Sequence, residues 1–90
     1  MPMTALHLTV HGRVQGVFYR DWTIATAREL GLAGWVRNEA DGTVAAHLEG
    51  EARAVEAMVT RMHDGPPHAA PTRIERREVE PEGLARFERR

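Results

Sequence analysis

The chain has 90 residues, a formal net charge of −1 and apolar side chains at 42% of its positions, the size and composition of one globular domain. All 12 basic residues are arginine, which excludes Schiff-base chemistry and a lysine-dependent phosphate loop, and the basic excess of a nucleic-acid binder is missing. The sequence has no cysteine, which excludes disulfides and thiolate nucleophiles, and no apolar run near the ~20 residues that span a membrane.

The first predicted element is a strand over residues 5–11, where apolar and polar side chains alternate. A loop over residues 12–20 follows, with glycine at positions 12 and 16. The backbone N–H groups of such a loop can converge on an anion, and the planar guanidinium of Arg20 matches two phosphate oxygens. A plain strand–helix connection with a surface arginine has the same pattern, so the loop alone leaves both interpretations open.

A helix is predicted over residues 21–30, and a short strand over residues 33–38. An Asp-Gly turn at residues 39–42 then leads into an alternating strand over residues 43–49. Asn38 ends the first of these two strands. Its carboxamide can accept a hydrogen bond from water and donate to an oxygen, but an asparagine before a turn is also a common structural residue.

The second half of the chain predicts a helix over residues 51–63, a proline-containing loop over residues 64–71 and a strand over residues 72–79. Phe87 indicates a short edge strand in the tail, where Arg89 occupies a position expected to be apolar. The order β-α-β-β-α-β predicts an α+β ferredoxin-like sandwich, an antiparallel sheet with two helices on one face. We expect residues 1–90 to form this single domain.

Two motifs resemble the signatures of the acylphosphatase family. The first is GRVQGVFYR at residues 12–20, and the second is GWVRN at residues 34–38. Three further residues stand at the intervals that the second signature requires: Gly42, Val44 and Gly50. Together the motifs and the element order cover most of residues 5–80, which makes the match far more specific than a lone glycine pattern.

The resemblance implies hydrolysis of small acyl phosphates, such as carbamoyl phosphate, to a carboxylate and inorganic phosphate, without a metal or a cofactor. By position, Arg20 matches the arginine that binds phosphate, and Asn38 matches the asparagine that orients the attacking water. The backbone cradle around the phosphoryl oxygens is matched by seven residues: Arg13, Val14, Gln15, Gly16, Val17, Phe18 and Tyr19. We expect a cytoplasmic monomer that acts without nucleic acid or membrane.

Two other functions stay open at this point. The chain could be a non-catalytic ferredoxin-like module that binds a metabolite, an RNA or a partner protein, although the absent basic excess argues against RNA. It could also be an accessory domain for carbamoyl transfer that normally lies in a longer polypeptide. Release of phosphate from an acyl phosphate separates both from a hydrolase.

Three histidines lie on the polar side of predicted strands: His7, His11 and His47. We expect them to be solvated surface residues rather than metal ligands. His11 directly precedes the candidate loop, and its imidazole could tune phosphate binding with pH.

Overall fold

The computed structural model describes residues 3–90 and contains the predicted order of elements with one addition in the tail. The elements are β1 (Met3–Arg13), α1 (Tyr19–Glu29), β2 (Ala33–Asn38), β3 (Val44–Glu51), α2 (Ala52–Asp64), β4 (Ala70–Val79) and β5 (Phe87–Arg89). The tail strand expected around Phe87 is therefore present. The fold is the predicted α+β ferredoxin-like arrangement.

The strands form one sheet in the order β4-β1-β3-β2-β5. The pairings β4–β1, β1–β3 and β3–β2 are antiparallel, as the sequence predicts. The pairing of β5 with β2 is parallel, with Gly34 opposite Phe87 and Val36 opposite Arg89. The fifth strand thus makes the sheet mixed. After a connection of seven residues (80–86), the chain enters β5 beside the beginning of β2, so the two strands run in the same direction.

Both helices pack on one face of the sheet and share one core. α1 contacts β2 and β5, α2 contacts β1, β3 and β4, and the two helices touch each other. The core side chains of α2 recur at helical spacing: Val55, Met58, Val59 and Met62. They meet the inward set of the alternating strands, which includes Leu8, Val36, Val44 and Leu48.

The strand directions bring four chain segments to one end of the sheet. β1 and β2 both pair antiparallel with β3, so they run the same way and end at the same edge. α1 begins at that edge because it follows β1, and β5 ends there because it runs parallel to β2. The end of β1, the loop to α1, the end of β2 and the end of β5 therefore lie together, and we call this the cavity end of the sheet.

Neither α1 nor α2 packs on the opposite face of the sheet, yet the centre of that face is covered. Trp35 is 6% exposed, and its ring stacks on His47 with the centroids 6.1 Å apart. The guanidinium carbons of Arg37 and Arg90 lie 4.7 Å and 5.4 Å from the Trp35 ring centroid. The expectation of a solvated His47 is wrong, because His47 is 2% exposed beneath this layer and bonded to Glu49.

Candidate active site

The loop between β1 and α1 is anchored to the core by three buried side chains. Val14, Val17 and Tyr19 are each at most 7% exposed. The Tyr19 hydroxyl donates a hydrogen bond of 2.7 Å to the carbonyl oxygen of Met62 in α2, and burial raises the pKa of the Tyr19 phenol. With these side chains turned inward, the polar backbone of the loop is left to face the open side.

The backbone N–H groups of this loop find no acceptor in the part of the chain that the structure describes. Among residues 3–90, no backbone hydrogen bond uses an N–H group of residues 14–18 as its donor. The first N–H groups of α1 are free as well, as at the start of every helix, and they add positive dipole potential. Free amides at a loop followed by a helix start form an anion-binding concavity.

Two backbone conformations give the loop its curvature. Gly16 has φ +73°, a left-handed value that glycine adopts without strain, and a Cβ there would meet nothing within 4 Å. Phe18 has φ +64° and stands directly before the first helical residue. A left-handed phenylalanine costs free energy, and such strain concentrates at functional sites. Phe18 is 75% exposed, so packing of its ring in the core does not explain the conformation.

A cavity of about 250 Å³ opens at this loop. It is lined by Val14, Gly16, Phe18, Tyr19, Arg20, Asp21 and Arg89. Arg20 is half-buried in the first turn of α1 and lines the cavity together with Gly16 and Phe18 of the loop. Arg89 reaches the cavity from β5 and donates a hydrogen bond to the Asp21 carboxylate. The cavity therefore has two guanidinium groups and one carboxylate, with the dipole of α1 behind them.

Asn38 lies at the cavity end of the sheet but is not among the residues that line the cavity. The Gln15 amide joins it to the loop, donating to the carbonyl oxygens of Glu39 (2.8 Å) and Thr43 (2.9 Å) in the turn that follows Asn38. The Asn38 Oδ1 atom is buried without a donor among the residues that the structure describes. Val36 and Asn38 are two residues apart on β2, so Asn38 and Arg89, which pairs with Val36, are on one face.

The predicted cradle residues divide into two groups. Five of the predicted site residues line the cavity: Val14, Gly16, Phe18, Tyr19 and Arg20. Arg13 is the last residue of β1 and pairs with Ala70, while Gln15 and Val17 hold the loop from outside the cavity. His11 does not line the cavity either. Its Nε2 lies 2.5 Å from Glu75 Oε1.

Sequence reasoning missed Arg89 as a residue of this site. A signal was present, because Arg89 follows buried Phe87 by two positions and so lies on the same face of the strand. A charged side chain on the apolar face of a strand indicates a polar site at that position. The parallel return of β5 beside β2, which places the side chain at the cavity, could not be seen in the sequence.

The part of the chain that the structure describes holds neither a metal-binding cluster nor a helix that could cross a membrane. Within residues 3–90, no group of three or more His, Cys, Asp or Glu side chains is arranged to hold a metal ion. Neither α1 nor α2, the helices of the described chain, is long and apolar enough to cross a membrane.

The arrangement as a whole suits a small dianion. Backbone amides, a helix start and a guanidinium provide donors without an acceptor of their own, and a carboxamide stands nearby with an unpaired oxygen. Such a site can hold a phosphoryl group by hydrogen bonds and charge and can orient a water.

Comparison with known proteins finds a family model and several acylphosphatases that are similar to this chain. A family model described as Acylphosphatase matches residues 6–89. An acylphosphatase from Thermococcus kodakarensis is 50% identical over 88 residues, which are 97% of this chain and 96% of the relative. The structure of an acylphosphatase from Coxiella burnetii has a TM-score of 0.94 at 36% identity, covering 98% of this chain and 93% of that one. The crystal structure of acylphosphatase from Bacillus subtilis has a TM-score of 0.92 at 36% identity, covering 94% of this chain and 96% of that one.

Proposed function

The chain belongs to the acylphosphatase family and hydrolyses acyl phosphates, and from this premise we propose how its own residues carry out the reaction. The phosphoryl group is held by the backbone of residues 13–19 and the guanidinium of Arg20, and the attacking water is oriented by Asn38. The observation that carries the proposal is the run of N–H groups over residues 14–18 without acceptors, directly before a helix start and beside Arg20.

The donors of the cradle stabilise the negative charge that is spread over the phosphoryl oxygens during the reaction. The three outer oxygens of the phosphoryl group accept hydrogen bonds from the loop amides and from the two parallel N–H groups of Arg20. A phosphoryl transition state is loose and spreads its charge over these oxygens, so fixed donors stabilise it. The donors are in place before the substrate binds, since Val14, Val17 and Tyr19 anchor the loop in the core.

Asn38 supplies orientation rather than basicity. A carboxamide does not take up a proton near neutral pH, but its Oδ1 accepts a hydrogen bond from water. The water oxygen forms a bond to phosphorus while the bond from phosphorus to the bridging oxygen breaks. The bridging oxygen leaves with the electron pair in the carboxylate, and a water proton passes to a phosphoryl oxygen. Carboxylates are good leaving groups, so little activation of the water is needed.

Arg89 adds a second guanidinium to the phosphoryl site. Its bond to the carboxylate of Asp21, the residue that follows Arg20, keeps the Arg89 side chain at the wall of the cavity that Arg20 also lines. When a dianion enters, the Arg89 guanidinium has further N–H groups to donate, because one guanidinium carries five. We propose that Arg89 strengthens phosphate binding and that Asp21 keeps the Arg89 guanidinium in position for it.

We also propose that the protein works as a cytoplasmic monomer, as the single domain of residues 1–90, without a metal, a cofactor or nucleic acid. The low basicity of the carboxylate leaving group supports catalysis without a Lewis acid. The net charge of −1 supports a small-molecule substrate over nucleic acid.

The experiment for Arg20 measures hydrolysis of benzoyl phosphate, with a chelator present, by the wild type and the Arg20→Gln variant. We expect kcat/KM to fall on the order of 10² to 10³, the loss typical for one preorganised donor to developing charge. Arg53→Gln is the matched control, because Arg53 is an exposed arginine of α2 far from the cavity in the fold. Folded Arg20→Gln with near-normal activity, or equal losses in both variants, would contradict the proposal.

A further inference from the structure

A buried carboxylate at the end of the sheet opposite the cavity accepts hydrogen bonds from the connection that leads to β5. Glu49 is 4% exposed and lies at the end of β3 opposite the cavity end. Its two oxygens accept hydrogen bonds from three consecutive backbone N–H groups, those of Glu82 (2.8 Å), Gly83 (3.0 Å) and Leu84 (3.1 Å). The His47 Nε2 atom lies 2.7 Å from Glu49 Oε1. We call residues 82–84 with this carboxylate the Glu49 clamp.

The clamp is a built feature rather than a chance surface contact. A buried carboxylate is costly unless both oxygens are bonded, and here three amides and an imidazole surround it. Gly83 has φ +76°, a left-handed value that lets successive N–H groups curl around one anion. Burial by itself raises the pKa of Glu49, but the hydrogen bonds from Glu82, His47, Leu84 and Gly83 outweigh it and lower that pKa overall.

β5 is held by contacts with β2 and α1 as well as by the clamp at its entry. It has three residues, lies at the edge of the sheet and pairs with β2 alone. Buried Phe87 and a hydrogen bond of 3.0 Å from Arg28 to the Phe87 carbonyl oxygen hold its start. The clamp fixes where the chain enters the strand, about five residues before Arg89, a span of roughly 17 Å for extended chain.

We propose that Glu49 is a positioning residue of the active site: by clamping residues 82–84 it sets the position of β5, and β5 places Arg89 in the cavity beside Arg20. The inference rests on the proposed function, in which Arg89 binds the phosphoryl group. Glu49 touches no substrate, and its effect passes through the backbone of the tail.

The negative charge of Glu49 makes the direction of the change in phosphate binding informative. Removing a negative charge favours binding of an anion by Coulomb's law, and screening makes that effect small across the length of the sheet. Weaker phosphate binding after removal of the Glu49 charge therefore cannot be an effect of the charge itself. Such a loss of binding instead indicates that a residue lining the cavity has been displaced.

The experiment is a double-mutant cycle with Glu49→Gln and Arg89→Gln in the full chain, with the inhibition constant of inorganic phosphate measured for each variant under conditions where all are folded. We expect Arg89→Gln to weaken phosphate binding about tenfold and Glu49→Gln about three- to tenfold. The double variant is expected to bind no more weakly than Arg89→Gln alone, because both changes remove the same interaction. Glu51→Gln, two residues further along the chain, is the matched control and is expected to leave the constant unchanged.

A purely structural role for Glu49 predicts a different pattern. The free energy of unfolding would then fall while phosphate binding stays at the wild-type value, or the two losses would multiply in the double variant, and either result overturns the inference. Gly83→Val breaks the clamp from the other side with Glu49 intact and is expected to weaken phosphate binding as well. Wild-type binding by folded Gly83→Val overturns the inference even where Glu49→Gln does not fold. If Arg20→Gln fails to weaken phosphate binding, the proposed function itself fails, which is a separate result.

Discussion

The carboxamide oxygen of Asn38 is a buried acceptor that no described residue supplies with a donor. An unsatisfied buried acceptor costs about 1 to 3 kcal/mol, so a water that donates to it is stabilised at this position. This unsatisfied acceptor lies beside the cradle, where the proposed reaction consumes a water. The arrangement fits a residue retained for reaction rather than for stability.

Replacement of Asn38 distinguishes a role in orienting the water from a role in binding phosphate. In Asn38→Ala we expect kcat to fall on the order of 10², because the water loses its orientation, while phosphate binding stays within about threefold. The free energy of unfolding should stay level or rise slightly, since an unpaired buried atom is removed. Steady-state kinetics with phosphate inhibition and urea unfolding measure the three quantities. An equal loss in kcat and in phosphate binding would place Asn38 in the cradle instead of at the water.

At the residue scale, the sequence is informative where a residue acts through its local motif. Arg20 ends a glycine-containing loop and Asn38 precedes an Asp-Gly turn, so both could be proposed before any coordinates. The surroundings of His47 and Arg89 depend on where the C-terminal tail packs, and long-range contacts decide that position. The alternating pattern of β3 predicts an exposed His47, but Trp35 and its neighbours cover this face.

At the element scale, Gln15 couples the loop to the turn after β2. Its amide holds the carbonyl oxygens of Glu39 and Thr43, so the cradle and the strand end with Asn38 keep a fixed relation. Relative placement within a fraction of an ångström governs the rate of an oriented reaction. Gln15 thus adds a link between the loop and the turn without lining the cavity.

Gln15→Leu tests this coupling. We expect the free energy of unfolding to fall by about 1 to 3 kcal/mol, because two carbonyl groups lose their donor, and kcat/KM to fall by more than about tenfold. Thr60→Val is the control, since it removes an exposed hydrogen bond of 3.1 Å from Thr60 to a backbone carbonyl oxygen in α2, away from the cavity. Urea unfolding and benzoyl phosphate kinetics provide the two readouts. A loss of stability with unchanged kcat/KM would show that the coupling is irrelevant to catalysis.

The boundaries of α1 show what local sequence leaves open. Asp21 suits the first turn of a helix, and the prediction of a start at residue 21 follows from it. The helix begins at Tyr19 instead, and no side chain caps it. Its start is set by the left-handed Phe18 and the buried Tyr19, neither of which belongs to the capping signals that a sequence displays.

At the scale of the whole molecule, three buried or half-buried groups with shifted pKa values contribute to how stability depends on pH. Burial first, then the charges of Arg77 and Arg37, lowers the pKa of His7 from its ordinary 6.5, so stability falls as pH drops below about that value. The pKa of Glu49 lies below its ordinary 4.5, so its contribution is present above that value and is lost as pH falls further. Burial raises the pKa of Tyr19 above its ordinary 10.0, so its contribution disappears in strong alkali.

We therefore expect the free energy of unfolding to be highest between about pH 7 and 9 and to decline on both sides. Urea unfolding at a series of pH values measures the curve. His7→Leu should flatten the section just below pH 6.5, and Glu49→Gln the section below 4.5. A wild-type curve that rises as pH falls through 6 would refute the assigned directions.

The overall fold was predictable because its patterns agree with one another. Two amphipathic helices and alternating strands in the order β-α-β-β-α-β specify one core and one sheet. The short strand at Phe87 was predicted, but its parallel pairing with β2 was not, because three residues with one buried side chain carry no periodic signal. That short strand completes the cavity, so the part of the site that sequence reasoning missed is the part that the tail supplies.

Capture of the phosphoryl group by the loop and Arg20 is the central claim, and an NMR titration with inorganic phosphate tests it most directly. The amide proton and nitrogen signals of residues 14–20 are expected to shift together and saturate with one dissociation constant in the wild type. In folded Arg20→Gln the same shifts should require roughly a hundredfold more phosphate or vanish. Shifts confined to other parts of the chain, or an unchanged titration in Arg20→Gln, would contradict the account.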